Sequence, residues 1–118
     1  MTVRRIVANI AATDPGRAKN FYTGLFGFDV VMDQGWIVTL ASPERALAQL
    51  SLASEGGSGA PVPDLSIEVD DVDEIHRRAV AAGHEILYGP TDEPWGVRRF
   101  YLRDPLGKLL NVLSHSAG

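Results

Sequence analysis

Cysteine is missing altogether from this 118-residue chain, which excludes disulfides, thiolate metal sites and cysteine nucleophiles. Positive charge is in short supply as well. Eleven Lys and Arg stand against 15 Asp and Glu, a net charge of −4, whereas phosphate binding needs a basic footprint. No nucleic-acid partner is therefore expected, and a cationic ligand is compatible with the balance. No apolar run approaches the roughly 20 residues of a membrane span. The opening MTVRRIVANIAATD reaches Asn9, Thr13 and Asp14 too soon for a signal peptide. The expectation is a cytoplasmic protein with no membrane partner. Three catalytic patterns are missing too: there is no His-Glu-x-x-His spacing, no arguable Ser-His-Asp set, and GGSG lacks the Lys-Ser/Thr of a phosphate cradle.

What is present is an ordinary globular composition, 45% hydrophobic and 22% charged, enough for one compact domain over 1–118. VRRIVANIAA reads as a strand. TDPGRAKNFYTGLFG reads as a helix, with Asp14 as N-cap, Pro15 at the first position and Gly27 closing it. Ala18, Phe21, Tyr22, Leu25 and Phe26 recur at the helical period and form one apolar stripe, with Phe21 and Tyr22 as core aromatics. Strands are expected at Phe28–Met32, Trp36–Ala41 and Ala46–Leu52, separated by turn residues. A Gly/Ser/Pro-rich flexible connector follows over 54–62.

The plan then recurs. DLSIEVDD is a strand, and Asp71 with Glu74 gives a capping box for a helix through Ile75, Ala79 and Ala82 that stops at Gly83. HEILYG reads as a strand. Two apolar runs around Asp104-Pro105-Leu106-Gly107 read as the closing hairpin. Both halves thus read strand–helix–three strands, module one at 1–53 and module two at 63–115. The expected fold is α+β: tandem βαβββ modules with a pseudo-twofold relation, forming a partly open, β-barrel-like sheet with helices outside.

RAKNFYTGLFGFDV, VDDVDEIHRRAVAAG and WGVRRFYLRDPLGKLLNVL, in that order, resemble the two helices and closing hairpin of the vicinal oxygen chelate superfamily. That superfamily includes glyoxalase I, extradiol dioxygenases, fosfomycin-modifying enzymes and bleomycin-resistance proteins. The resemblance implies metal-ligand positions on four strands, which fall here on Val7, Gln49, Asp64 and Asn111. Metal-using members carry His or Glu there, sometimes Gln. Val7 donates nothing, Gln49 and Asn111 are neutral amides, and only Asp64 is anionic, so no metal and no cofactor are expected. A slipped register would have to bring in Glu68 or His115.

By strand alternation Val7, Asn9 and Ala11 share a face, as do Gln49 and Ser51. Asp64, Ser66 and Glu68 share another, as do Asn111, Leu113 and His115. Polar residues there suit the lining of a ligand cleft better than the underside of a helix. Trp36 and Trp95 add aromatic planes that could stack on a flat ligand, or plug the fold. Arg98 or Arg99 could meet an anionic group, since alternation turns only one inward; Arg98 is taken as the candidate. His76 is expected on a solvated face.

The reading that follows is a small-molecule binder resembling bleomycin-resistance proteins, sequestering a drug or natural product without metal. The resemblance implies a homodimer. Acidic Asp64 and Glu68 with the tryptophans suit a planar, cationic organic molecule. The alternatives are a glyoxalase-type metal-dependent lyase, isomerase or dioxygenase, a metal-free enzyme with Asp64 or Glu68 as base, and a structural domain. No catalytic residue is assigned.

Overall fold

A computed structural model describes residues 2–43 and 49–115. Two compact units divide the chain, Val7–Val62 on one hand and the start up to Ile6 with everything from Pro63 on the other. No described helix is long and apolar enough to cross a membrane.

The Val7–Val62 unit holds most of β1 (Val3–Ala11), then α1 (Pro15–Phe26), β2 (Asp29–Asp33), β3 (Ile37–Ala41) and β4 (Gln49–Ala53). β2 pairs antiparallel with β3, β3 antiparallel with β4, and β4 parallel with β1. Asp14 caps α1 by accepting the Arg17 N–H at 3.2 Å, and Gly27 closes it in the left-handed region at φ 72°. Ala18 and Tyr22, one turn apart, pack with Phe28 on the sheet residues Val38, Leu40 and Leu52. The apolar stripe is wider than the contact. Phe21, Leu25 and Phe26 are 58%, 65% and 62% exposed, so Phe21 is not a core residue as expected. The aromatic rings lean instead on one another, Phe21 edge-on to Tyr22 at 5.2 Å. The first three residues of the expected Ala46–Leu52 strand lie outside the described residues, and β3 starts at Ile37 rather than Trp36.

The expected flexible connector is a wound loop. The Gly56 N–H donates to the Ala60 carbonyl and the Ala60 N–H to that of Gly57, around a turn in which Gly57, Ser58 and Gly59 all have positive φ, and Glu55 accepts the Gly59 N–H. Glycine makes such a turn accessible, and the same residues that suggested looseness permit this closure.

The second unit holds β5 (Leu65–Val69), α2 (Val72–Ala81), β6 (Tyr88–Asp92), β7 (Val97–Arg103) and β8 (Leu109–His115), with the first residues of the chain. Its pairing repeats that of the first: β6 antiparallel with β7, β7 antiparallel with β8, β8 parallel with β5. The α+β, tandem βαβββ expectation therefore holds. Val69, Val72, Ala79, Phe100 and Val112 form the core between α2 and the sheet. Asp71 caps α2 by accepting the Glu74 N–H at 3.1 Å. The capping box is only half made, because Glu74 turns its carboxylate to Arg77 and Arg78. His76 is half-buried with its ring edge-on to Phe100 at 5.3 Å, rather than solvated. HEILYG is not a strand from its start: the His84 and Gly83 N–H groups finish the helix on Ala79 and Val80 carbonyls, and β6 begins only at Tyr88.

Candidate functional site

Residues opposite each other in a ladder point to the same side. The β7–β8 register therefore gives Val97, Arg99 and Tyr101 the same face as His115, Leu113 and Asn111. Across β5, Ser66 faces Asn111 and Glu68 faces Leu113, so the expected Ser66–Glu68–Asn111–Leu113 set does share one side. The opposite side carries Phe100 and Val112 under α2.

Arg98 stands on the α2 side, bound to Asp73 at 3.1 Å and near Asp92 at 3.4 Å. Its expected place among the ligand-binding residues is corrected: the register gives the face of Asn111 to Arg99. Asp73 holds the Arg98 guanidinium above its usual pKa, outweighing the cost of burial. Arg99 is 3% exposed, and its Nε and Nη2 bind Oε2 of Glu93 at 2.8 and 2.6 Å. Tyr88 donates to the same oxygen at 3.0 Å, and Arg99 donates to the Tyr101 hydroxyl at 3.0 Å. The guanidinium lies 5.0–5.2 Å from the ring centres of Tyr101, Trp95 and Tyr88. Trp95, in the turn between β6 and β7, is thus an aromatic wall on a buried ion pair. Burial pushes the Tyr101 phenol up, with Arg99 pulling the other way.

Asn111 is 8% exposed and donates from Nδ2 to Ser66 Oγ at 3.1 Å. Its Oδ1 is buried with no partner among the described residues. Asp64 is not a free carboxylate: it accepts the Leu109 N–H at 2.8 Å, tying β8 to the start of β5. Glu68 is held by Arg5 at 3.0 Å and by the His115 ring at 2.9 Å.

In the Val7–Val62 unit, Asn9 lies opposite Ser51, and Ser51 opposite Thr39, whose hydroxyl meets that of Ser51 at 2.7 Å. Gln49 is opposite Ala41 on the same side. Val7 is buried. The Trp36 carbonyl accepts the Ser54 N–H at 2.9 Å, pinning the end of β4. A shallow depression beside α1 is bordered by Ala11, Thr13, Asp14, Arg17 and Phe21, and of the expected cleft face it touches Ala11.

The four positions that the resemblance gives to metal ligands do not fit a divalent transition ion. Val7 has no donor atom, Gln49 and Asn111 offer neutral amides, and the one carboxylate, Asp64, is already spent on a backbone N–H. Among the described residues no group of three His, Asp or Glu side chains is placed to hold a metal ion.

Residues 4–112 match the Glyoxalase family, described as the Glyoxalase/Bleomycin resistance protein/Dioxygenase superfamily. The chain belongs to this family. Among curated relatives it is 27% identical over 111 residues to CFP32 of Mycobacterium bovis, a protein provisionally named a glyoxylase. That match takes in 88% of this chain and 42% of CFP32, so the chain spans about two fifths of the relative's length. Among solved structures, a glyoxalase/bleomycin resistance protein/dioxygenase superfamily member from Vibrio splendidus superposes with a TM-score of 0.65 at 18% identity, covering 97% of this chain and 99% of that one. The methylmalonyl-CoA epimerase of Streptomyces coelicolor superposes with a TM-score of 0.72 at 21% identity, covering 98% and 100%. At these identities the likeness is one of fold.

Neither Arg99 as the inward arginine nor Glu93 was singled out from sequence. Counting outward from the Asp104–Gly107 turn pairs Tyr101 with Asn111 and so turns Arg99 to that face. Glu93 lies beyond the end of β6, where alternation gives no guidance.

Proposed function

We propose that this member of the glyoxalase/bleomycin resistance family binds a small, flat organic molecule on the polar sheet face around Asn111 and Ser66, without a metal. The observation that carries the reading is the enclosed Asn111 Oδ1, an acceptor with no partner among the described residues. Leaving a buried acceptor unmet costs about 1–3 kcal/mol, which a ligand N–H or O–H would recover. The nearby carboxylates already have cationic or N–H partners. What the face lacks is therefore a hydrogen-bond donor rather than a positive charge. A planar cation that carries N–H groups satisfies this as well as a neutral amide or phenol does. Sequestration of a drug or natural product, as in bleomycin-resistance proteins, is the role this chemistry suits, and a homodimer belongs to the same proposal.

The name of CFP32 favours a second reading, a glyoxalase-type metal enzyme, against which the donor set stands. A titration with Ni²⁺, Mn²⁺, Fe²⁺ and Zn²⁺ by calorimetry separates the two, run beside a thermal-shift screen of flat cationic and neutral natural products. Binding of an organic molecule that Asn111→Leu weakens by about tenfold, some 1.4 kcal/mol, is the expected result. Stoichiometric metal binding tighter than about 0.1 mM overturns the proposal. Sedimentation of the purified chain tests the dimer.

A further inference from the structure

Asn111 is more than nine-tenths buried, yet half of its amide is unused. Nδ2 gives one of its two hydrogens to Ser66 Oγ at 3.1 Å, and Oδ1 meets no partner among the described residues. A carboxamide carries two lone pairs and two N–H groups in one plane. Turning it over about its last bond changes neither its shape nor its contact with Ser66, because a hydroxyl donates as readily as it accepts. As it stands, both Oδ1 lone pairs and one N–H are open. Turned over, both N–H groups and one lone pair are open. In either orientation an acceptor and a donor are open together. A ligand that supplied only a donor, or only an acceptor, would leave the other buried and unmet.

The neighbours hold this edge in place. Ser66 stands opposite Asn111 in the β5–β8 pairing, and Tyr101 stands opposite it in the β7–β8 pairing. The Tyr101 hydroxyl accepts from Arg99 at 3.0 Å, and the Arg99 guanidinium, itself bound to Glu93, lies 5.0 Å from the Tyr101 ring centre. The amide therefore has a hydroxyl on one side and an anchored aromatic ring on the other, on a strand rather than a loop. A site organised in this way loses little freedom when a ligand arrives.

We propose that the molecule bound on this face presents a cis-amide edge, a carbonyl and an N–H side by side, as lactams, imides and primary carboxamides do. The proposal rests on the ligand-binding reading and narrows it. The ligand N–H donates to Oδ1, and one Nδ2 hydrogen donates to the ligand carbonyl while the other stays on Ser66. This is the two-bond match that an Asn side chain makes with an adenine edge. An ordinary peptide bond does not qualify, because the N–H and C=O of a trans amide point opposite ways. An indole fills only the acceptor, and an N-alkylated lactam only the donor. Asn111 decides which molecules are accepted, and Ser66 is a positioning residue that fixes the plane of its amide.

Calorimetry of the whole chain with three flat probes tests this. Quinolin-2-one is a lactam, its N-methyl derivative keeps the carbonyl and loses the N–H, and indole has an N–H and no carbonyl. Quinolin-2-one is expected to bind at least about tenfold tighter than either of the others. Asn111→Leu should bring the three within about twofold of one another. Asn111→Asp keeps the shape, but an ionised carboxylate only accepts, so indole should then bind at least as well as quinolin-2-one. Ser66→Ala should erode the lactam preference at unchanged Tm and leave indole affinity as it was, with Ser66→Thr restoring the preference. Quinolin-2-one binding no tighter than its N-methyl derivative or indole, or no tighter than about 1 mM, overturns the amide-edge assignment. The binding reading is then decided apart from it. It stands if Asn111→Leu weakens all three probes alike, or weakens another molecule found in the natural-product screen, and it fails if no affinity depends on Asn111.

Discussion

Arg99 has almost no contact with solvent; its guanidinium is bound by the equally buried Glu93 and faced by three aromatic rings. Two charges taken out of water together are costly, and either one left alone is costlier. Glu93→Ala should therefore destabilise the protein by about 3–5 kcal/mol in urea denaturation, and Arg99→Met by a similar amount. The double variant Glu93→Leu/Arg99→Met should lose less than the two singles added together. A single variant that loses under about 1 kcal/mol would show the pair to be hydrated in solution. At this scale the sequence was legible where one period ruled. Ser66, Glu68, Asn111 and Leu113 alternate cleanly and do share a face. Arg98 and Arg99 are adjacent, so alternation says that they diverge but not which one turns inward, and the answer waits on the hairpin register. The pairing of Asp64 and Glu68 was not legible at all, since their partners Leu109, Arg5 and His115 lie more than forty residues away.

At the scale of elements, helix ends were well marked because each is written by local chemistry. Asp14, Asp71 and Gly27 cap as their types dictate. β6 was misplaced because its start depends on where a neighbour's backbone runs. Gly83 and Gly89 show the difference. Both have positive φ, 84° and 75°, yet a Cβ on Gly83 would meet open space, while one on Gly89 would strike the carbonyl oxygen of Arg99. Gly83→Ala should therefore cost only the backbone penalty, about 1 kcal/mol. Gly89→Ala must also push β6 off β7, and about 2–4 kcal/mol is expected. Paired thermal melts check this, and equal losses for the two would mean that β6 can move aside freely. The stripe of α1 has the same lesson from the other direction. Its period correctly announced a helix, but the area a helix buries is set by the sheet beneath it, and Ala18 and Tyr22 meet that contact while Phe21 and Leu25 do not.

Across the whole molecule the charge is negative, so the carboxylates decide how it responds to acid. Two of them titrate below their ordinary range in the second unit. Asp70 is held down by the Thr2 N–H, which fastens the start of the chain, with burial opposing. Glu74 is held down by Arg77 and Arg78 on the exposed surface of α2. A carboxylate whose folded pKa lies below its unfolded value stabilises the fold above the unfolded value. That contribution fades as pH falls toward the folded pKa. The contribution of these two groups should therefore be flat from neutral pH down to the ordinary carboxylate range, near 4 for model peptides, and should decline below it. Asp70→Asn and Glu74→Gln should each flatten the acid limb while lowering the neutral plateau slightly, since Asp70 is exposed, Glu74 is half-exposed and both pairings are screened. Added salt should lower the Glu74 contribution more than that of Asp70, whose partner is a backbone N–H rather than a guanidinium. If the acid limb of the double variant matches the wild type, the stabilising carboxylates lie elsewhere.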